Sequence, residues 1–166
     1  MLGRRIARVS ATPGKTRALN VYVVSTRSSV VGDNRIPTTD NAFYLLDLPG
    51  YGYSRASKTD RTAFARLLHH ALRRGRLRGV VWLLDIRHEP SVDDQAMQDR
   101  FAEAATPVLA VLTKSDKLSR GQGADRTRAL TAALALDDDQ VLATSARTGD
   151  GIPDLREAIA GLAASA

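Results

Sequence analysis

Two stretches of this chain have residue types and spacing that could do chemistry: Asp47-Leu48-Pro49-Gly50 and Thr113-Lys114-Ser115-Asp116. In the second, a carboxylate at Asp116 can accept two hydrogen bonds, from the N1–H and the 2-amino group of a guanine. Adenine presents an acceptor at N1 and has no such amino group. A buried acceptor left unpaired costs about 1–3 kcal/mol, so the pattern selects guanine. The stem of Lys114 can lie over the base and shield it. Thr144-Ser145-Ala146 follows later in the chain, and the backbone N–H of Ala146 could donate to guanine O6. The plainer reading of Thr113–Asp116 is a polar turn between strand and helix. The apolar run just before it favours guanine.

In the first stretch, Asp47 ends an apolar run and can hold a water on Mg²⁺. Gly50 lets the backbone approach a phosphate with its N–H free to donate. Loss of the γ-phosphate would release that bond and relax the loop. An ordinary Pro-Gly turn with a capping Asp is the simpler alternative.

Thr12-Pro13-Gly14-Lys15-Thr16 resembles the end of a phosphate-binding loop, but that loop needs a glycine five residues before Gly14, where this chain has Val9. No apolar strand precedes it either. It reads instead as a mobile loop whose Thr16 hydroxyl ligates Mg²⁺ when the γ-phosphate is present.

The elements that must position these residues alternate in kind. Leu19–Val24 and Ala42–Asp47 have strand composition. The spacing of Phe64, Leu67, Leu68, Ala71 and Leu72 predicts a helix over 57–74, capped by Ser57. Gly79–Asp85 and Pro107–Leu112 are continuous apolar runs, the pattern of strands buried on both faces. A helix over 91–105 opens on Ser91 with Asp93 and Asp94 behind it. An alanine-rich helix is expected over 124–136, starting near Asp125. A last strand, 140–144, precedes a last helix, 153–164, with Pro153 in its first turn. Trp82 and Met97 are expected in the core. Such alternation implies an α/β fold, a mostly parallel sheet with helices on both faces. Ligands sit at the carboxyl ends of strands in such sheets, where all three phrases fall.

The 166 residues fit one domain, 1–166, and 43% are hydrophobic, enough for a packed core. No cysteine is present, which excludes disulfides and thiolate metal sites and suits the cytoplasm. No apolar stretch is long enough to span a bilayer. The net charge is +6, and of the 24 basic residues only those at 15, 58, 114 and 117 are lysine. Arginine suits phosphate, so a nucleic-acid partner is one reading. The other is a compositional bias toward alanine and arginine. An aromatic content of 5% argues against a base-stacking surface.

Taken in order, the phrases resemble the EngB (YihA/YsxC) family of bacterial ribosome-biogenesis GTPases. The stretches that carry the resemblance are 7–16, Leu46-Asp-Leu-Pro-Gly-Tyr-Gly-Tyr53, Gly79-Val-Val-Trp-Leu-Leu-Asp-Ile-Arg-His88, 111–118 and 145–152. The resemblance implies a Ras-like P-loop NTPase G domain that binds GTP and Mg²⁺ and acts, as a monomer, in assembly of the large ribosomal subunit, with a link to septation. It places Gly14, Lys15, Thr16, Arg17 and Ala18 in a first switch, with Thr16 on the metal. Asp47, Leu48, Pro49 and Gly50 open a second switch, with Asp47 on Mg²⁺ through water. Thr113, Lys114, Ser115 and Asp116, with Thr144, Ser145 and Ala146, frame the guanine. Tyr51 stands where Ras-type proteins have a water-orienting glutamine, which implies slow unaided hydrolysis.

The chain departs from that pattern in lacking the first strand, the phosphate loop and most of the first helix. That strand would lie between those at 42–47 and 79–85. A mis-assigned start codon and a truncated remnant are the two explanations, and the intactness of the other phrases favours the first. The alternatives to a GTP-binding protein are a nucleotide-independent basic module for RNA or ribosome, and a non-functional fragment. Arg73, Arg74, Arg76 and Arg78 are either a ribosomal RNA contact or partners of a helix dipole.

Overall fold

The structure, a computed structural model, describes residues 20–25, 42–48, 50, 58–73 and 77–164. The chain divides into two compact units, one holding Ala65–Ala166 and the other within Val9–Phe64. The smaller unit is built on an antiparallel ribbon of β1 (Asn20–Ser25) and β2 (Ala42–Asp47), in register from Asn20 opposite Asp47 to Ser25 opposite Ala42. Val21, Val23 and Tyr44 share one face of this ribbon and are exposed.

The larger unit holds most of helix α1 (Lys58–Leu72), then β3 (Val80–Asp85), α2 (Val92–Glu103), β4 (Val108–Thr113), α3 (Arg120–Ala133), β5 (Val141–Ala143) and α4 (Ile152–Ala164). The sheet is parallel, ordered β3-β4-β5. A parallel pair cannot be joined by a tight turn, so each crossover carries a helix. β4 lies in the middle, and its Leu109, Ala110, Val111 and Leu112 are all buried, as its continuous apolar run requires. β3 departs from that expectation. Trp82 is buried, but Leu83 is 63% exposed. Among the described residues β3 pairs only with β4 and β2 only with β1, so each has one edge without a strand partner.

The register puts Trp82, Leu84, Ala110 and Leu112 on one face. There Phe101 of α2 meets Trp82 edge-on, ring centroids 5.6 Å apart. Leu130 of α3 packs with Ile86 and Leu112, flanked by Leu84, Leu118 and Val141. Leu109 and Leu142 look the other way and share a hollow with Ala158 of α4. Helices thus cover both faces, as the alternation implies. Trp82 and Met97 are core residues as expected.

The helix starts follow local chemistry. Ser91 caps α2 in a reciprocal box with Asp94, Ser91 accepting from the Asp94 N–H and Asp94 from the Ser91 N–H. α3 corrects the sequence reading, for it begins at Arg120 rather than near Asp125. Ser119 and Gln122 form a second capping box that starts the helix early, overriding the glycines at 121 and 123. α1 is described over Lys58–Leu72, and its expected cap, Ser57, lies outside the described residues.

Candidate functional site

The carboxyl ends of β3, β4 and β5 come together because the strands are parallel and in register. Asp85 ends β3 directly beside Thr113, which ends β4. The Thr113 hydroxyl donates to the Leu84 carbonyl at 2.8 Å, and the Ile86 N–H donates to the Thr113 carbonyl at 3.1 Å, tying the two strand ends. From β5, the Thr144 N–H donates to the Leu112 carbonyl at 2.8 Å, and the Ser115 N–H donates to the Thr144 carbonyl at 3.0 Å. Those bonds join the phrases Thr113–Asp116 and Thr144–Ala146, which the sequence separates by almost thirty residues.

Between them Asp116 is fixed. Its side chain is only 6% exposed. The hydroxyl of Ser145, itself fully buried, donates to Oδ1 at 2.7 Å, and Nε of Arg147 donates to Oδ2 at 2.7 Å. Lys117 Nζ stands 3.9 Å from Oδ2. The Ser145 hydroxyl, and next to it the Arg147 guanidinium, hold the Asp116 carboxyl below its usual range against the effect of burial. Asp116 is therefore an ionised double acceptor, the state that two guanine N–H groups require.

The turn after Ser145 closes on the Ser145 side chain. The N–H groups of Arg147 and Thr148 both donate to the Ser145 hydroxyl oxygen at 3.2 Å. No bond from the N–H of Ala146 is made among the described residues, and Ala146 is exposed, so this donor faces outward unpaired. Gly149 (φ +89°) and Gly151 (φ +67°) then turn the chain into α4. A Cβ on Gly151 would lie 2.2 Å from the Ala143 carbonyl oxygen.

Lys114 has φ +64°, the left-handed region that costs a side-chain-bearing residue about 1 kcal/mol or more. Its ammonium reaches the carboxylate of Asp85 at 2.8 Å. Arg87 forks onto the same carboxylate, Nε to Oδ1 at 2.8 Å and a terminal nitrogen to Oδ2 at 2.6 Å. The Arg87 bonds first, then Lys114, hold Asp85 well below the usual carboxylate range, against its desolvation. Sequence reasoning did not single out Arg147, nor give Asp85 and Arg87 a role. The acid that ends β3, next to a run ending in Thr113-Lys114, was the available signal.

The other predicted residues fall elsewhere. Asp47 ends β2 in the smaller unit, with Leu48 just after it, and the Asp47 carboxylate accepts from Asn20 Nδ2 at 3.3 Å. A carboxylate has about four acceptor sites, so Asp47 keeps capacity for a metal-bound water. Gly50 is exposed. Gly14, Lys15, Thr16, Arg17, Ala18, Pro49 and Tyr51 lie outside the described residues, as do Arg74 and Arg76. No group of three or more His, Asp or Glu side chains suited to a metal occurs among the described residues. Nor is any helix among them long and apolar enough to cross a membrane.

The parallel sheet with helices on both faces is that of a Ras-like G domain. A solved structure titled a probable GTP-binding protein engB superposes with a TM-score of 0.61 at 16% identity, covering 72% of this chain and 76% of that one. Residues 1–114 match the family model described as a 50S ribosome-binding GTPase. A probable GTP-binding protein EngB from Syntrophomonas wolfei is 38% identical over 160 residues, spanning 96% of this chain and 75% of the relative. One of the same name from Gemmatimonas aurantiaca is 39% identical over 160 residues, 96% of this chain and 71% of the relative. The chain belongs to the EngB family.

Proposed function

We propose that this chain binds GTP and acts, as a monomer in the cytoplasm, in assembly of the large ribosomal subunit. The observation that carries the guanine assignment is the buried Asp116 carboxylate, oriented by Ser145 and set beside the exposed Ala146 N–H. Asp116 would accept from guanine N1–H and the 2-amino group. The Ala146 N–H would donate to O6, and the Lys114 stem would cover the face of the ring. Thr113, Ser115 and Thr144 hold these groups in place through the bonds that tie the strand ends.

Thr16 and, through a water, Asp47 would hold Mg²⁺. When bound, that ion neutralises charge on the terminal phosphates. Gly14–Ala18 and Asp47–Gly50 would form the two switches that respond to the γ-phosphate. With Tyr51 in the place of a water-orienting glutamine, hydrolysis would be slow without an activator. The partner in this reading is the ribosomal large subunit or its RNA, touched by Arg73, Arg74, Arg76 and Arg78. Support comes from the family model's description and from the basic charge of the chain. A role in septation belongs to the same proposal.

Titration of a fluorescent GTP analogue into the folded chain with Mg²⁺ tests this. The expected outcome is saturable binding competed by GDP and not by ATP. A folded sample without saturable binding would leave a nucleotide-independent basic module instead.

A further inference from the structure

The phrase Asp85-Ile86-Arg87-His88 has no part in the guanine contacts described so far, yet its carboxylate is among the most heavily engaged in the larger unit. Asp85 accepts from the Arg87 backbone N–H at 3.1 Å, from two Arg87 side-chain nitrogens, and from Lys114 Nζ at 2.8 Å. Its own side chain is 19% exposed, whereas that of Lys114 is 54% exposed. A long, half-exposed lysine loses rotamer freedom when it is held in one place. Charge-assisted bonds are the kind that offset such a cost. Lys114 also sits in a left-handed conformation, which persists only where its surroundings over-determine it.

We propose that Asp85 is a positioning residue of the guanine pocket. By gripping the Lys114 ammonium it lays the lysine stem from the end of β4 to the end of β3, as the wall against which the base is held. This rests on the guanine reading of Asp116. Arg87 supports the grip from the far side. Its two bonds lock the Asp85 carboxylate in one rotamer, so that Oδ2 faces Lys114. Asp85 touches no part of the nucleotide itself and acts only through Lys114.

Dissociation of a ribose-labelled fluorescent GDP from the full chain tests the idea. Asp85→Asn keeps the shape and removes the charge. It is expected to speed release about 5- to 20-fold, the range of a charge-assisted contact. In a Lys114→Met background the same change should add almost nothing, while in an Arg87→Ala background it should still accelerate release. A purely structural Asp85 would speed release equally in all three backgrounds, and that result overturns the proposal. So does unchanged release by Asp85→Asn. Should Asp85→Asn not fold, Asp85→Glu, which displaces the charge by one methylene, reads the same coupling to Lys114→Met. Failure of the parent chain to bind GDP at all sinks the guanine reading and this inference with it. Normal binding by the parent with unaltered release by Asp85→Asn sinks the inference alone.

Discussion

Asp116 already has both oxygens engaged before any base arrives, one by Ser145 and one by Arg147. The Ser145 bond fixes the plane of the carboxylate. The Arg147 bond takes one acceptor site of Oδ2, and the carboxylate has about four in all, so capacity for further donors is left. Asp116→Asn turns one acceptor into a donor. Guanine binding by that variant should weaken by about 100-fold or more, because a buried pair is then mismatched. Competition of labelled nucleotide by GDP and by xanthosine diphosphate measures it, and xanthine, with an oxygen at C2, should gain relative to guanine. The acid limb of stability belongs to this scale too. The folded-state pKa of Asp85 is depressed, so its stabilisation is complete above the ordinary carboxylate range, about pH 4, and is lost as pH falls through the lower folded value. Asp85→Asn should therefore melt below the parent at pH 7, and the gap should begin to narrow as pH falls below about 4. Melting temperatures across pH 2.5–7 check the sign.

At the scale of elements, helices begin where a side chain can satisfy the first N–H groups. Ser91 was legible in the sequence because a Ser followed three residues later by an acid is a local signal. Ser119 was not, because the two glycines that follow it read as a break. The cap decided that case: the reciprocal Ser119–Gln122 bonds satisfy the first N–H groups and outweigh the glycine penalty. The two kinds of glycine in this chain make a contrast that can be measured. Gly151→Ala forces a Cβ against the Ala143 carbonyl at positive φ and should cost about 2–4 kcal/mol. Gly121→Ala meets open space in α3 and should gain up to about 1 kcal/mol. Urea unfolding of the two variants should move the midpoint in opposite directions. Gly151 also holds the turn that presents Ala146, so its variant should weaken guanine binding as well.

At the scale of the whole molecule, charge is the property that sums over residues. A net charge of +6, most of it arginine, steers the chain toward polyanions. Each arginine on a phosphate adds about 0.7–0.9 to the slope of log affinity against log salt. Replacing Arg73, Arg74 and Arg76 with alanine should therefore flatten that slope by about 2–3 for ribosomal RNA and weaken binding at low salt. An unchanged slope would return these arginines to the bland role of complementing a helix end. The sequence by itself determined the kinds of element, the central burial of β4 and the phrases that mark the family. Those are local facts, written in periodicity, caps and contiguous motifs. It also placed the phrases at strand ends, because alternation of strand and helix implies a parallel sheet. Only the tertiary structure decided which side chains serve which. The Asp85–Lys114 bond spans 29 positions and the Asp116–Arg147 bond spans 31, and nothing in either spacing announces a partner. Register made those pairs. Three parallel strands, stopped at the same level, delivered to one edge charges that the sequence leaves far apart.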